Sequence, residues 1–532
     1  MRRLVLVSSL LVACGGGSGN NPDGGGNPDA TTPPTDGSTP SDGASNDGND
    51  GGPNIGDSVI TRSNHNTRDN VFIQSTFTTA GIATMKLDTT FDGTISGDVY
   101  GDVLFFNDGP SGQPVVIVGT QNNQMTALNA DTGAVVWQKT FGTPAGQSGA
   151  GCGNIGPIGI TSTPAIDPVS RTIFFNATQG NANTITDHQI HAISMDDGSE
   201  RPNFPVNAST ATSQNTTLNP VLENQRSALL YLNGVVYVAY GGHAGDCGAY
   251  HGWVVGVPYP AGAPVAAYAA STAANTRAAG IWGVSGPASD GTDVYVTTGN
   301  SFGATTWVGQ EAVLRLTPGP AFSNQTADYW APHDYLTLDN GDTDIGGTGA
   351  LLVDVPGATP SSLVVALGKS GVAYLVDRGN LGGVGTSTAT DGVSNMQVAG
   401  GEIINAPGTI TTPNGTYVVF HGYNGAAGQS CKTGSGDLVA LQISATSPPK
   451  ISVPWCAASN TAGSPMITSI DGTNNALVWT VGTHLDAWDL ASGKQVYTGT
   501  DTLANVRKFT SPIAAHGRIY IGADNKVYSF KP

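Results

Sequence analysis

Four groups of residues in this chain have the types and spacing for chemistry. The first is one loop holding His243, Asp246, Cys247, Tyr250, His251 and Trp253. Two imidazoles beside a carboxylate can bind a metal or act as a general base; the same residues also make a polar loop pinned by Cys247 and hydrogen bonds. The second is Trp282, Asn300, Trp307 and Glu311, an aromatic platform with an amide and a carboxylate. It suits a flat or sugar-like ligand, or plain packing between structural units. The third, Asp339-Asn-Gly-Asp342-Thr-Asp344, offers closely spaced oxygens of the kind that hold Ca²⁺. Against that, Asp339-x-x-Asp342 is off register for an EF-hand and no distant Glu follows, so a polar turn is the competing reading. The fourth is basic: Lys369, Arg378 and Arg507-Lys508. In an acidic protein such residues near a channel can meet an anionic ligand or serve as surface ion pairs. Gly-x-Ser-x-Gly, His-Glu-x-x-His and phosphate-loop patterns are absent from the sequence, so hydrolase and nucleotide readings have no support.

A degenerate repeat must position these groups. Ala127-Leu-Asn-Ala-Asp131-Thr-Gly133-Ala-Val-Val-Trp137 aligns without gaps on Ala192-Ile-Ser-Met-Asp196-Asp-Gly198 and on Ala487-Trp-Asp-Leu-Ala-Ser-Gly493-Lys-Gln-Val-Tyr497. Each has a strand and an Asp/Ser/Thr-Gly turn whose Gly supplies a positive φ. Trp137 and Tyr497 are expected to pack between adjacent units. A Pro recurs before further strands, in Thr163-Pro164, Ala406-Pro407, Ser464-Pro465 and Ser511-Pro512. Proline is confined to strand starts and edges, and the innermost strand of a propeller blade is such an edge. Eight inner strands are expected, starting near Asp98, Ile160, Gln225, Ile281, Asp344, Ile404, Ala462 and Phe509. The last unit holds only three strands, so Ile82–Leu87 is expected to return as its outer strand and close the ring. The fold class predicted is all-β: an eight-bladed β-propeller of four-stranded antiparallel blades.

Composition agrees with that reading. There are 74 Gly in 532 residues and only 11% charged residues, which suits short strands and tight turns. The net charge of −18 argues against nucleic acid or an anionic membrane as partner. Residues 1–13 read as a signal peptide, Met-Arg-Arg then a short apolar run, and Leu11-Val12-Ala13-Cys14 resembles a lipobox. Cys14 would then be the lipidated first residue. Residues 14–56 carry Gly, Asp, Asn, Pro, Ser and Thr without apolar periodicity, as a disordered tether does. Residues 57–532 form the propeller. Four cysteines remain in an exported chain, which predicts two disulfides. Cys152–Cys247 and Cys431–Cys456 is the expected pairing, with two others open on paper.

Together these stretches resemble the pyrroloquinoline-quinone (PQQ) repeat of the quinoprotein alcohol dehydrogenase-like propellers. The Ala-x-Asn/Asp-x-x-Thr/Ser-Gly-x-x-x-Trp motif carries the match over residues 60–532. The resemblance implies PQQ and Ca²⁺ as candidate cofactors. In that family PQQ lies between a Trp and a disulfide of adjacent cysteines, Ca²⁺ sits on Glu, Asn and Asp, and an Asp is the base. No two cysteines of this chain are adjacent. The sequence therefore favours a non-catalytic binding or scaffold module at the bacterial envelope, monomeric and reaching the membrane only through its lipid. Its general design resembles the propeller lipoprotein of the outer-membrane β-barrel assembly machinery. Gly15 after Cys14 points to the outer membrane, and an envelope protein or a glycan is the expected partner. A divergent PQQ-dependent dehydrogenase acting on an alcohol or sugar is the alternative. The ligand-binding residues expected are His243, Asp246, His251, Trp282, Asn300, Lys369 and Arg507, with Asp339, Asp342 and Asp344 as metal ligands.

Overall fold

The computed structural model describes residues 55–422, 431–459 and 463–532. Cys14, the leader, the tether as far as residue 54, and Ala462 lie outside the described residues. Eight antiparallel sheets follow one another along the chain and form the eight blades of a propeller. Their innermost strands are Leu104–Phe106, Ala165–Asp167, Leu230–Leu232, Ala288–Ser289, Leu351–Asp354, Gly408–Thr412, Met466–Ser469 and Ile513–Ala515. These belong to blades 1 to 8 in order. Blade 8 is closed by the end of the expected segment: Lys86–Leu87 pairs antiparallel with the C-terminal strand Lys526–Lys531, Leu87 lying opposite Phe530, while Gly81–Thr84 before it forms a 3-10 turn rather than strand.

The turn motif has a precise use. Asn129 Oδ1 accepts from the backbone N–H groups of Asp131 (3.1 Å) and Thr132 (2.9 Å), and Gly133 follows at φ 71°. The equivalent Gly198 in blade 2 is where the preceding blade docks. A Cβ there would stand 2.9 Å from the Trp137 ring, whose Nε1–H donates to Met195 O at 2.9 Å. Blade 6 repeats the joint on blade 7. A Cβ at Gly493 would stand 2.5 Å from Trp455, and Trp455 Nε1–H donates to Leu490 O at 2.7 Å. Glycine is needed at these turns twice over, for the positive φ and for the ring that lies against it.

The inner strands begin a few residues later than the sequence predicts, at Leu104 rather than near Asp98 and at Leu351 rather than near Asp344. The residues between are spent on a belt linking neighbouring blades. Leu229 N–H donates to Thr163 O (3.1 Å), Ser464 N–H to Thr510 O (3.0 Å), and Ser511 N–H to Asp102 Oδ1 (2.9 Å). Backbone groups used between blades are lost to the ladder within a blade.

The N-terminal stretch before blade 1 does not stay outside the ring. Val59 bridges Phe105 of blade 1, Ile60 O accepts from Ile166 of blade 2, and Arg68 donates to Leu229 O beside the inner strand of blade 3. Asn66 O, Thr67 O and Asp69 O accept from Ser289, Leu352 and Thr409, in blades 4, 5 and 6. Val71–Ile73 then lies parallel to the inner strand of blade 7, and Gln74 accepts from Gly517 of blade 8 at 2.9 Å. One segment thus bonds to all eight blades and fills the middle of the ring as a plug. The sequence places the start of the propeller at residue 57 but carries no pattern that announces this plug.

Candidate functional site at the mouth of the channel

The belt segments carry the side chains that gather beside the plug. Arg226 precedes the inner strand of blade 3 and Phe509 precedes that of blade 8, yet the guanidinium lies 4.3 Å from the Phe509 centroid. This contact crosses the centre of the ring. Arg226 also lies 5.0 Å from the centroid of Trp282, and Lys369 Nζ lies 5.4 Å from the same ring. Trp282 is set by glycines: a Cβ at Gly299 would stand 3.0 Å from its Nε1, and one at Gly347 3.3 Å from its Cη2.

Behind Trp282 sits a buried acidic group. Asp344 accepts from the backbone N–H of Asn300 at 2.9 Å and pairs with Lys369 Nζ at 2.9 Å, while Lys369 also meets Asp342 at 2.6 Å. Glu311 is fully buried, and its Oε2 accepts from Ile345 N–H at 2.7 Å. Its Oε1 is buried without a donor, and its backbone holds φ 48°. Burial, with the Asp344 charge adding, pushes the Glu311 carboxyl well above the usual range. Burial likewise raises Asp344, against the opposing pull of Lys369, and Lys369 is raised by its two carboxylates despite burial.

The structure therefore brings together Trp282, Asn300, Asp344 and Lys369 from the sequence candidates. Arg226, which sequence reasoning did not single out, joins them; its Nε and Nη2 are buried without an acceptor. Burial, with Arg62 nearby, pushes its guanidinium down to about 10. Its only sequence signal is a cation in the Gln225-Arg226-Ser227 stretch just where a strand was expected to enter the channel.

Other candidates go elsewhere. Asp339 lies in the short helix Tyr335–Gly341 and accepts from Ser301 N–H (2.8 Å) and Ser301 Oγ–H (2.9 Å). With Asp339 tied to Ser301 and the other two tied to Lys369, the three aspartates do not share one cation-sized space. Arg507 is a bracket between blades 8 and 1: it makes a two-pronged contact to Asp524 at 2.7 Å on each arm, meets Asp98 at 2.5 Å, and lies on the Tyr100 ring. Arg378 pairs with Asp354 at 2.8 Å. Trp307 stacks on Tyr329 at 4.0 Å rather than facing the channel.

His243, Asp246 and His251 stay in the blade 3 loop, pinned by the Cys152–Cys247 disulfide, as expected. The second disulfide is Cys431–Cys456. Asp246 accepts from the Tyr250 hydroxyl at 2.7 Å, and the His251 backbone N–H donates to Glu223 at 3.0 Å. Burial pushes the His243 imidazole down to about 4 and also lowers His251, so both are neutral at pH 7. Glu223 is the missed residue here: fully buried, it takes the N–H groups of His251 and Trp253 and is raised well above the usual range by burial.

PQQ and Ca²⁺ can be tested against this geometry. The Trp282 ring, the natural floor for a quinone, already meets Arg226 and Lys369. Neither disulfide joins adjacent cysteines, the form that the resemblance implies for the second plate: they span 95 and 25 residues. The Lys369 ammonium holds the carboxylates of Asp342 and Asp344 that a divalent cation would need. In this arrangement the residues fit neither group.

No protein-family model matches the sequence, and no curated protein matches it. Solved structures do match in fold. A quinohemoprotein alcohol dehydrogenase from Pseudomonas putida HK5 aligns with a TM-score of 0.59 at 10% identity, over 89% of this chain and 80% of that one. A europium-containing methanol dehydrogenase gives 0.57 at 13%, over 87% and 89%. The quinohemoprotein alcohol dehydrogenase of Comamonas testosteroni gives 0.56 at 12%, over 89% and 80%. The chain has the eight-bladed propeller fold of the quinoprotein alcohol dehydrogenases; at such identity the likeness is one of fold.

Proposed function

We propose that this chain is a non-catalytic binding or scaffold module, held at the outer membrane of a bacterial envelope by a lipid on Cys14. An envelope protein or a glycan would be its partner, and it would act as a monomer. The observation that carries the reading is the filled ring. The plug takes the middle of the channel, and Trp282 is met by two cations at the mouth. A rigid ring with its centre used for internal bonding presents its loops and blade edges rather than a reaction chamber.

A second reading, a divergent PQQ-dependent dehydrogenase oxidising an alcohol or sugar, draws support from the convergence of Trp282, Asn300, Asp344 and Lys369. It requires Arg226 and Lys369 to leave the indole. One experiment separates the two. The full chain is titrated with PQQ and Ca²⁺ while its melting temperature is followed, and dye reduction is then screened with alcohols and sugars. The binding reading expects no saturable shift and no reduction, with crosslinking in envelope extracts giving a discrete partner. A saturable upward shift with dye reduction overturns it in favour of the dehydrogenase.

A further inference from the structure

Away from the channel, His333, Asp334 and Asp391 meet at the junction of blades 4 and 5. His333 and Asp334 leave the outer strand Tyr329–Ala331 of blade 4. Asp391 comes from the connection between Gly383–Val384, which adds itself parallel to that strand, and the outer strand Ser394–Gln397 of blade 5. Asp391 Oδ1 accepts from the His333 backbone N–H at 2.8 Å, and its Oδ2 lies 2.6 Å from His333 Nδ1. Asp334 Oδ1 lies 4.0 Å from the same nitrogen. The three ligand atoms all fall within 4.8 Å of one another.

Three features set this trio apart from an ordinary surface ion pair. Asp334 is half-exposed, but its Oδ1 is buried and has no hydrogen-bond donor. Among the described residues no lysine or arginine pairs with either carboxylate, so two negative charges face a single imidazole. Gly385 makes room for the cluster: a Cβ there would stand 2.1 Å from Asp391 Oδ1. Two carboxylates and a neutral imidazole have the charge and donor set for one divalent transition ion. Around such an ion, ligands at about 2.0–2.2 Å stand about 3.4 Å apart when tetrahedral, and the observed 2.6 and 4.0 Å straddle that spacing. His333 and Asp334 are open to solvent on one side, which leaves a further coordination position for water.

We propose that His333 Nδ1, Asp334 Oδ1 and Asp391 Oδ2 form a site for a divalent transition metal ion of the Zn²⁺ class. The ion takes the place of the direct His333–Asp391 contact, takes up the orphaned Asp334 oxygen, and clamps the 383–397 connection to blade 4. Its open position makes the site exchangeable rather than sealed. The site does not depend on how the channel mouth is used.

The test uses the untagged full chain, stripped with a chelator and desalted, then titrated calorimetrically with Zn²⁺ near pH 7.5. One ion per chain is expected, with binding weakened at least about 10-fold in His333→Gln and in Asp334→Asn. Asp334→Asn should melt with the metal-free wild type, since Asp334 Oδ1 has no hydrogen-bond donor there; His333→Gln also loses the contact to buried Asp391 and is read by binding alone. Co²⁺ in place of Zn²⁺ should give visible bands of low coordination number that disappear in His333→Gln. Absence of wild-type binding up to about 100 µM Zn²⁺, or an unchanged affinity in His333→Gln, overturns the assignment.

Discussion

Replacing Arg62 by Met tests whether the plug holds the ring together. Arg62 and Asp102 are both buried, with 2% and 1% of their side chains exposed, and their closest atoms are 3.0 Å apart. The guanidinium also donates to Phe509 O at 2.9 Å and to Thr163 Oγ1 at 3.3 Å, so one side chain ties the plug to blades 1, 2 and 8. Burial lowers Arg62 and raises Asp102, each opposed by the other's charge. Removing one member of such a pair leaves a charge without its partner, at a cost of about 3–5 kcal/mol. Protonation of Asp102 limits that cost. A raised carboxyl binds its proton in the folded state at pH values where the unfolded chain has released it. The penalty is therefore greatest at pH 8 and shrinks toward pH 5, by at most about 1.4 kcal/mol per pH unit. We expect Arg62→Met to lower the melting temperature by several degrees at pH 8 and by less at pH 5. Hydrogen exchange should accelerate first at the amides of residues 59–73, as the plug opens locally. The double variant Arg62→Met with Asp102→Asn should recover much of the loss. A single variant that melts with the wild type at both pH values, its plug amides equally protected, refutes the plug as a structural keystone.

Two further outcomes follow from the acidic group behind Trp282. Glu311, Asp344 and Asp339 are all raised by burial, so the folded state holds protons that the unfolded chain releases, and stability should fall as pH rises above the ordinary carboxylate range. Glu311→Gln removes one of these protons, and its urea-unfolding free energy should decline less steeply between pH 5 and 8, by up to about 1.4 kcal/mol per unit; equal slopes would contradict a raised Glu311. Lys369→Ala frees Asp342 and Asp344 from their ammonium, so Tb³⁺ should bind there and show luminescence sensitised by nearby Trp282, whereas the wild type gives none at that site. Equal luminescence in both proteins would mean that Lys369 does not occupy the cation position.

Much of this protein was legible in its sequence, for a definite reason. The blades are local objects: Asn129 to Gly133 forms its turn from its own side chain, and strands separated by tight turns pair with their sequence neighbours. The blade count, the turn glycines and closure through Lys86–Leu87 rest on short-range pattern or on the need to leave no open edge, and the two disulfides on the even number of cysteines. Tertiary structure alone decided what fills the centre. Residues 59–74 show no strand alternation, because their partners are eight segments spread over the whole chain. Nothing in the local sequence singles out Arg68, whose guanidinium is buried against Pro287 O at 2.6 Å and Leu229 O at 3.1 Å. Arg226 and Phe509 meet only because a ring brings blade 3 to face blade 8. His333 and Asp391 meet only because a blade 5 connection doubles back on blade 4. Local spacing encodes the repeat; the burial of charge, and with it the chemistry of each site, is set where distant segments converge.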